Sequence, residues 1–228
     1  VATDPGRMVL ETVIAAADRG PVAANHARAV DYLVRERTIE GVAVRDRING
    51  EEFEVRASVV VNATGPWAGE LSNRGHRKAE FLPPSWIGGL NVVLRRSLGI
   101  ETAVALSAAS KEADRSAVLQ RATRELFFVP WRDVTAVGTD YQPVSGPDDA
   151  NDAPTALVER FVEEIARVAP RARVRSDDVA AVQWGLLPQE TTGGPLPRKS
   201  PILVSGEAEA GLRGLVVIIG EKLTSAPT

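Results

Sequence analysis

Two stretches of the chain end an apolar run in residue types that could bind a ligand. The first is GLVVII at residues 214–219, which leads into GEKLT at residues 220–224. An α/β protein often enters a helix in this way, and the first turn of such a helix offers free backbone N–H groups to an anion. Lys222 would add a cation there. The sequence stops soon after Thr224, so we expect that the chain has been cut where a binding site begins.

The second stretch, SVVVNATGPWAGEL, is the strongest single motif. Asn62, Ala63, Thr64 and Gly65 form a turn of small residues, which brings the backbone close to a ligand at the carboxyl end of a strand. Taken alone, the same residues are equally typical of an ordinary exit from a strand. A shared ligand cleft requires that this turn and the turn after Ile219 lie side by side at one edge of a sheet.

Composition argues against several other kinds of site. The chain of 228 residues has a formal net charge of −3, no cysteine and two histidines, His26 and His76. The charge gives no long-range attraction for nucleic acid, so we expect no such partner. Thiol, iron–sulfur and Cys-based zinc sites are impossible, and neither histidine has a second histidine at i+4 to form a metal site. The Gly-x-Ser-x-Gly motif of hydrolases does not occur.

Hydrophobic spacing predicts two helices, at residues 4–20 and 152–170. The second has an N-cap at Asp152 or Thr155 and ends at Pro170.

Strands are predicted over much of the remaining chain, beginning at residues 22–36, 39–47 and 51–65. Hairpin turns are predicted at Ile48–Gly50, at Arg132–Asp133 and near residues 209–211. Gly88 and Gly89 permit a bulge or the close approach of a ligand. The alanine-rich residues 103–123 fit either a strand with a loop or a short helix.

Two strands, at residues 58–63 and 214–219, are apolar on both faces and are predicted to be fully buried, the first in a parallel sheet. The sum is an α+β fold, or mixed α/β, with a few helices around a largely antiparallel sheet.

Six stretches occur in a family-typical order and spacing, and together they are far more specific than any one of them. They are RASVVVNATGPWA, LFFVPW, VGTDY, DDVAAVQWGLLP, PRKSP and IGEKLTS. The chain therefore resembles the FAD-dependent glycerol-3-phosphate dehydrogenases, within the wider group of glycine/D-amino-acid oxidase-like flavoproteins. The resemblance runs from residue 4 to residue 225 and covers almost the whole chain.

The resemblance implies FAD as the cofactor and two groups of residues that hold it. The turn formed by Asn62, Ala63, Thr64 and Gly65 matches the turn that passes the nucleotide part of FAD. The segment at the isoalloxazine end of FAD is matched by Gly220, Lys222, Leu223 and Thr224.

Two cations are the implied catalytic residues. Lys222 also matches a lysine expected to reach the substrate phosphate or the flavin, and Arg198 matches an arginine for the substrate phosphate. Both charges suit that place, because a phosphate ester and a reduced anionic flavin are negative. Without the resemblance, Lys222 would be interpreted as a solvated lysine and Arg198 as a surface arginine.

The resemblance also divides the chain into domains. Residues 1–79 and 202–228 match the later part of an FAD/NAD(P)-binding-like domain, and residues 80–201 match a substrate-binding domain with an antiparallel sheet. The Gly-x-Gly-x-x-Gly dinucleotide fingerprint, which lies far upstream in the family, does not occur in this sequence. We therefore expect this segment alone to hold FAD weakly or not at all.

Four features depart from the family pattern, and one of them is a Thr-Thr-Asp turn after VG that is shortened here to Thr139-Asp140. Leu187 stands where the family has an arginine that grips the substrate phosphate, and Asn91 stands where it has a histidine proposed as proton acceptor or substrate contact. Glu221 replaces a glycine beside the negative cofactor. Loss of that arginine removes roughly 2–5 kcal/mol of favourable interaction with a desolvated phosphate. Glycerol 3-phosphate itself is therefore in doubt as the substrate.

Two functional hypotheses follow. The resemblance implies a flavin-dependent dehydrogenase that moves a hydride from an alcohol carbon of a small molecule, a polyol phosphate or a related compound, to flavin. Because Leu187 and Asn91 replace functional residues, the alternative is a degenerate relative that acts as a small-molecule binding or assembly module. The resemblance further implies a cytoplasmic parent protein, and it leaves open a peripheral contact with the inner membrane face or a quinone, and a homo-oligomer.

Overall fold

The computed structural model describes residues 4–69, 85–108, 124–146, 151–189, 202–205 and 211–219. Contacts divide the chain into two compact units. The first unit comprises Thr3–Leu82 and Arg198–Thr228, and the second consists mainly of Pro83–Pro197. Within the described ranges, no helix is both long and apolar enough to cross a membrane.

The first unit begins with helix α1, Pro5–Ala17, which confirms the first predicted helix. Asp4 caps it, because its Oδ1 accepts a hydrogen bond from the Arg7 backbone N–H at 3.1 Å. Pro5 occupies the first turn, where a helix needs no N–H donor. The helix buries none of its residues, and Leu10 and Ile14 are more than half exposed. Its cap and its internal hydrogen bonds therefore carry most of its local stability.

A three-stranded antiparallel sheet follows, with strands in the order β1 (Ala27–Arg35), β2 (Thr38–Asp46) and β3 (Glu52–Arg56). The predicted Asn-Gly turn joins β2 to β3, and the Ile48 N–H there donates to Asp46 Oδ1 at 2.7 Å. Gly41 is required in β2, since a Cβ at that position would lie 2.0 Å from the Val55 carbonyl oxygen.

The stretch predicted as one strand, residues 51–65, is two strands in different sheets. β3 ends at Arg56, and β4 covers only Val60–Asn62. The chain changes partner at Ser58, because a second segment approaches it there. A Cβ on Gly214 would lie 2.8 Å from the Ser58 oxygen, and the Gly214 carbonyl accepts the Val60 N–H at 2.8 Å.

The second sheet of this unit brings together the two apolar strands of the sequence. Its order is β10 (Ile202–Ser205), β11 (Leu215–Ile219) and β4. β11 runs parallel to β4, with Val217 opposite Asn62, and β10 and β11 form the predicted antiparallel hairpin. The carboxyl ends of β4 and β11 therefore lie at the same edge of one sheet, as a shared cleft requires.

The prediction that both of these strands are fully buried is wrong for β4. The side chains of Val59 and Val61 are 56% and 55% exposed. In β11, every second side chain is buried, from Leu215 to Ile219. Successive side chains of a strand point to opposite faces, and β4 buries Asn62 on one face while Val61 on the other stays exposed.

The second unit is built on a five-stranded antiparallel sheet in the order β6–β7–β8–β5–β9. Its strands are β5 (Ser85–Leu94), β6 (Val104–Ala108), β7 (Arg124–Trp131), β8 (Val134–Val144) and β9 (Val179–Gln189). The predicted turn at Arg132 and Asp133 joins β7 to β8. β6 shows that the alanine-rich residues 103–123 begin as a strand, and residues 109–123 lie outside the described ranges.

Helix α2, Thr155–Val168, packs on one face of this sheet and confirms the second predicted helix. Every third or fourth residue of α2 is buried, as an amphipathic helix requires. The core that helix and sheet share includes Leu157, Phe161, Ile165, Leu90, Val92, Leu126 and Val137.

The start of α2 differs from the prediction. Its N-cap is Pro154, not Asp152 or Thr155. Pro154 has an extended conformation with φ −56° and ψ 131°, and its carbonyl oxygen accepts the Leu157 N–H at 2.9 Å. The ring of proline sets this φ in advance, so the chain enters the helix without a side-chain cap. The helix ends at Val168, just before Pro170 opens a short 3-10 turn.

Side-chain alternation gives the five-stranded sheet two unlike faces. The helix face, which α2 covers, carries Leu90, Val92 and Leu94 of β5. The far face is the opposite side of the sheet and carries Gly89 and Asn91 of the same strand.

We predict that Gly88→Ala destabilises the second unit. Gly88 lies on the helix face, and a Cβ there would lie 1.9 Å from Cη2 of Trp184. Overpacking of this kind costs about 1–3 kcal/mol. The matched change is Gly185→Ala in β9, where a Cβ meets no atom within 4 Å. Urea unfolding of the intact protein measures both variants, and equal midpoints for the two would contradict this packing.

Candidate cofactor site and substrate face

The small-residue turn after β4 lies at the edge where β4 and β11 both end. The chain continues from it into a 3-10 turn, Gly65–Trp67. Ala63 and Thr64 are exposed, and a Cβ on Gly65, which has a φ of +61°, would meet no atom within 4 Å. The backbone of this turn is therefore accessible and carries little side-chain bulk.

The side chain of Asn62 holds this turn in place. It is 3% exposed, and its Nδ2 donates to the Tyr32 hydroxyl at 2.8 Å and to the Ala68 carbonyl at 3.1 Å. Its Oδ1 accepts the Thr64 backbone N–H at 3.2 Å and the Thr64 hydroxyl at 2.7 Å. These four bonds use the full capacity of a carboxamide, which has two N–H donors and two lone pairs on oxygen. Asn62 thus shapes the turn, and the neighbouring exposed backbone is what a ligand can reach.

These features fit a nucleotide cofactor. A dinucleotide binds outside the carboxyl ends of parallel strands, where small residues let it approach the backbone. The turn at Asn62–Gly65 meets that requirement, and β11 ends at the same edge with Ile219. Several predicted residues lie outside the described ranges, and their roles stay predictions: Gly220, Lys222, Leu223, Thr224 and Arg198.

Asn91 and Leu187, the two departures from the family pattern in the second unit, lie on the same face of its sheet. Gly89 of β5 is directly opposite Gly185 of β9, and Ile87 is directly opposite Leu187. Residues that are directly opposite share a face, and so do residues two apart in a strand. The far face therefore carries Ile87, Gly89 and Asn91 of β5 together with Gly185 and Leu187 of β9.

The far face has a hollow above Gly89. A Cβ on Gly89 would lie 3.6 Å from Cε1 of Tyr141, 3.7 Å from Cδ1 of Leu187 and 3.7 Å from Cγ2 of Thr139. These are ordinary van der Waals distances, so the three side chains border the space that the glycine leaves. Beside this Gly89 hollow, the Thr139 hydroxyl donates to Oδ1 of Asn91 at 2.8 Å.

Sequence reasoning missed two members of this face, Tyr141 and Gly185. The cause for Tyr141 is a bulge, because the register between β5 and β8 shifts at Leu90–Asn91. Plain alternation from the buried Val137 would put Tyr141 on the helix face, and the extra residue moves it to the far face. The signal for Gly185 was available in the sequence. It lies two residues before Leu187 in β9, and residues two apart in a strand share a face.

The same bulge turns Asp140 towards the helix face, where it is 3% exposed. Its Oδ1 accepts the Tyr141 N–H at 3.0 Å, and its Oδ2 accepts from Nε2 of Gln142 at 3.1 Å. Nη2 of Arg160 in α2 lies 4.0 Å from Oδ2. Asp140 therefore ties β8 to α2. Across the described part of the chain, no three Asp, Glu or His side chains come together as a metal site would require.

We predict that Asn62→Leu lowers the stability of the first unit by about 1–3 kcal/mol, because the Tyr32 hydroxyl and the Ala68 carbonyl lose a buried partner. Thr64→Val is the matched change, since it is nearly isosteric and removes only one hydroxyl bond, at about 0.5–1.5 kcal/mol. Chemical unfolding of the intact protein gives both values. The assignment fails if Asn62→Leu costs no more than Thr64→Val.

Known proteins with similar sequences are longer than this chain. The aerobic glycerol-3-phosphate dehydrogenase of Staphylococcus haemolyticus is 26% identical over 228 residues, which cover 97% of this chain and 38% of that protein. The alpha-glycerophosphate oxidase of Enterococcus casseliflavus is 30% identical over 192 residues, which cover 82% of this chain and 30% of that protein. The chain thus spans less than two fifths of either relative.

Solved structures share the fold. The glycerol-3-phosphate dehydrogenase from Bacillus halodurans, complexed with FAD, has a TM-score of 0.76 at 23% identity and covers 98% of this chain, which spans 40% of that one. L-proline dehydrogenase from P. horikoshii has a TM-score of 0.64 at 16% identity, with 96% of this chain and 50% of that one covered. These likenesses confirm the predicted mixed α+β fold class. The family model described as FAD dependent oxidoreductase matches residues 1–228, and the chain therefore belongs to the FAD-dependent oxidoreductase family.

Proposed function

We propose that this chain forms the later part of an FAD-binding domain and the substrate domain of a flavin-dependent dehydrogenase that oxidises an alcohol carbon of a small molecule. The observation that carries the proposal is the parallel pairing of β4 with β11, which sets the exposed turn at Asn62–Gly65 at the edge where β11 also ends. The family match over the whole chain supports FAD as the ligand of that edge.

The domain boundaries that we propose are those expected from the resemblance. Residues 1–79 and 202–228 belong to the FAD-binding domain, and residues 80–201 form the substrate domain. The division of contacts near Leu82 and Arg198 supports this assignment.

Each group of residues has a separate task in this proposal. The turn at Asn62–Gly65 holds the nucleotide part of FAD, mainly through its exposed backbone. Gly220, Leu223 and Thr224 contact the isoalloxazine end. Lys222 supplies positive charge beside the reduced flavin, and Arg198 supplies a second positive charge at the substrate.

The reaction is an oxidation that balances without a further reactant. The alcohol carbon loses a hydride, which the flavin accepts when bound. The hydroxyl loses a proton to water or a nearby base, and the product is a carbonyl compound. The protein residues orient the carbon and balance charge. Asn91 binds the oxygen without taking its proton, because a carboxamide is not a base near neutral pH.

Anaerobic titration of the full-length protein tests the activity. We expect a yellow protein whose flavin absorbance is bleached by at least one short alcohol from a set of glycerol, 1,2-propanediol and glycerol 3-phosphate. Dithionite, which reduces flavins without a substrate site, is the control. Bleaching by dithionite but by none of the three alcohols would contradict a dehydrogenase of this class.

Lys222→Met tests the proposed charge. We expect it to lower the midpoint potential of the flavin and to slow reduction by alcohol about tenfold or more, because a negative reduced flavin loses its cation. Arg45→Met removes a positive charge from an exposed side chain in strand β2 of the same unit and should change neither quantity. Equal midpoint potentials of the flavin in the two variants would contradict the proposed position of Lys222 beside the flavin.

We propose that the parent protein is cytoplasmic and assembles as a homo-oligomer. It contacts the inner membrane face peripherally and transfers electrons there to a quinone. This rests on the resemblance to glycerol-3-phosphate dehydrogenases alone. Sedimentation of the full-length protein with vesicles, checked against its sedimentation without them, measures the contact. A protein that stays in the supernatant at low salt would contradict it.

A further inference from the structure

On the far face of the second unit, the two neighbouring strands β5 and β9 form a floor that lacks side chains at one point. Gly89 in β5 and Gly185 in β9 are directly opposite each other on neighbouring strands. Gly185 is exposed, and a Cβ there would meet no atom within 4 Å. Glycine weakens the interior of a strand, and there it often marks the close approach of a ligand. Two glycines paired in the middle of the neighbouring strands β5 and β9 therefore point to a bound group.

The borders of this floor are carbon surfaces. Cε1 of Tyr141, Cδ1 of Leu187 and Cγ2 of Thr139 lie within 3.7 Å of the position that a Cβ on Gly89 would take. All three side chains are partly buried. A small group that approaches the backbone at Gly89 would therefore meet carbon surfaces, which favour an apolar group.

The polar side chains beside the hollow carry no charge. Oδ1 of Asn91 accepts the Thr139 hydroxyl at 2.8 Å, and the Nδ2 donors of Asn91 can serve a hydroxyl or carbonyl oxygen. The far-face positions of β5 and β9, at alternate residues from Ser85 to Val93 and from Gln183 to Gln189, are all neutral residues. A phosphate dianion placed among them would lose its hydration without gaining an ion pair from these strands.

We propose that the Gly89 hollow receives the uncharged end of the substrate, a methyl or hydroxymethyl group next to the alcohol carbon, and not a phosphate ester. This rests on the proposed function, whose hydride and proton transfers it leaves unchanged. It narrows the substrate class to short neutral diols and related alcohols. Leu187 and Gly89 are then the residues that determine specificity, and Asn91 orients the oxygen.

A matched pair of substrates tests the class in the full-length holoprotein. 1,2-Propanediol and glycerol 3-phosphate share a three-carbon diol and differ in whether the third carbon carries hydrogen or phosphate. We expect 1,2-propanediol to reduce the flavin with a second-order rate constant at least about tenfold higher. A higher rate with glycerol 3-phosphate overturns this inference alone. Reduction by neither of them nor by glycerol, with dithionite still effective, overturns the proposed function as well.

Gly89→Ala tests the hollow itself. Its added methyl meets its neighbours at 3.6–3.7 Å, which is ordinary contact, so the fold should tolerate it. The methyl nevertheless fills the hollow, and we expect kcat/KM for 1,2-propanediol to fall about tenfold or more at an unchanged melting temperature. Gly146→Ala is the control, since a Cβ at Gly146 meets nothing within 4 Å. Unchanged kinetics in Gly89→Ala would overturn the assignment.

Leu187→Arg tests the charge preference at the same place. The new guanidinium would stand at the border of the hollow and offer a partner to phosphate. We expect the ratio of kcat/KM for glycerol 3-phosphate over 1,2-propanediol to rise at least about tenfold. Leu187→Met keeps the volume and the neutrality and should leave that ratio as it is. A ratio that responds equally to both changes would contradict the proposed role of charge.

Discussion

The proposed cofactor site depends on a short parallel contact between distant parts of the chain. β4 and β11 are held by three residue pairs, and the Gly214 carbonyl adds a bond to the Val60 N–H just before them. Because parallel strands end at the same edge, this contact sets the turn at Asn62–Gly65 beside the end of β11. Asn62 then holds the turn with four hydrogen bonds. The site is therefore built by backbone geometry first and by side chains second.

The second unit differs, because one face of its sheet packs against α2 and the other face carries the proposed substrate surface. Alternation along β5 separates the two tasks between neighbouring residues. A Cβ on Gly88 would overlap Trp184 on the helix face, whereas one on Gly89 would only fill space on the far face. The bulge near Asn91 then turns Asp140 towards α2 and Tyr141 away from it. Small local irregularities thus decide which residues can meet a ligand.

Sequence reasoning succeeded where structure follows from local spacing and failed where a remote segment intervenes. The helices at Pro5–Ala17 and Thr155–Val168 follow from apolar periodicity, which is a local property. Residues 51–65 were predicted as one strand whose last part, from Ser58, enters a parallel sheet, and the break into two strands was missed because the approach of Gly214 to Ser58 is a tertiary contact. The burial predicted for β4 was wrong for the same reason, because exposure depends on what lies against a strand and not on its own composition.

The sequence by itself determined the family and the two helices, since ordered motifs and hydrophobic periods are properties of the chain itself. It also marked Leu187 and Asn91 as departures. Only the tertiary structure decided that they share one face with Gly89, Tyr141 and Gly185, and that β4 pairs in parallel with β11. The physical reason is that register and bulges arise from hydrogen bonds between strands far apart in sequence. Such bonds depend on all the strands of a sheet and cannot be determined from any one segment.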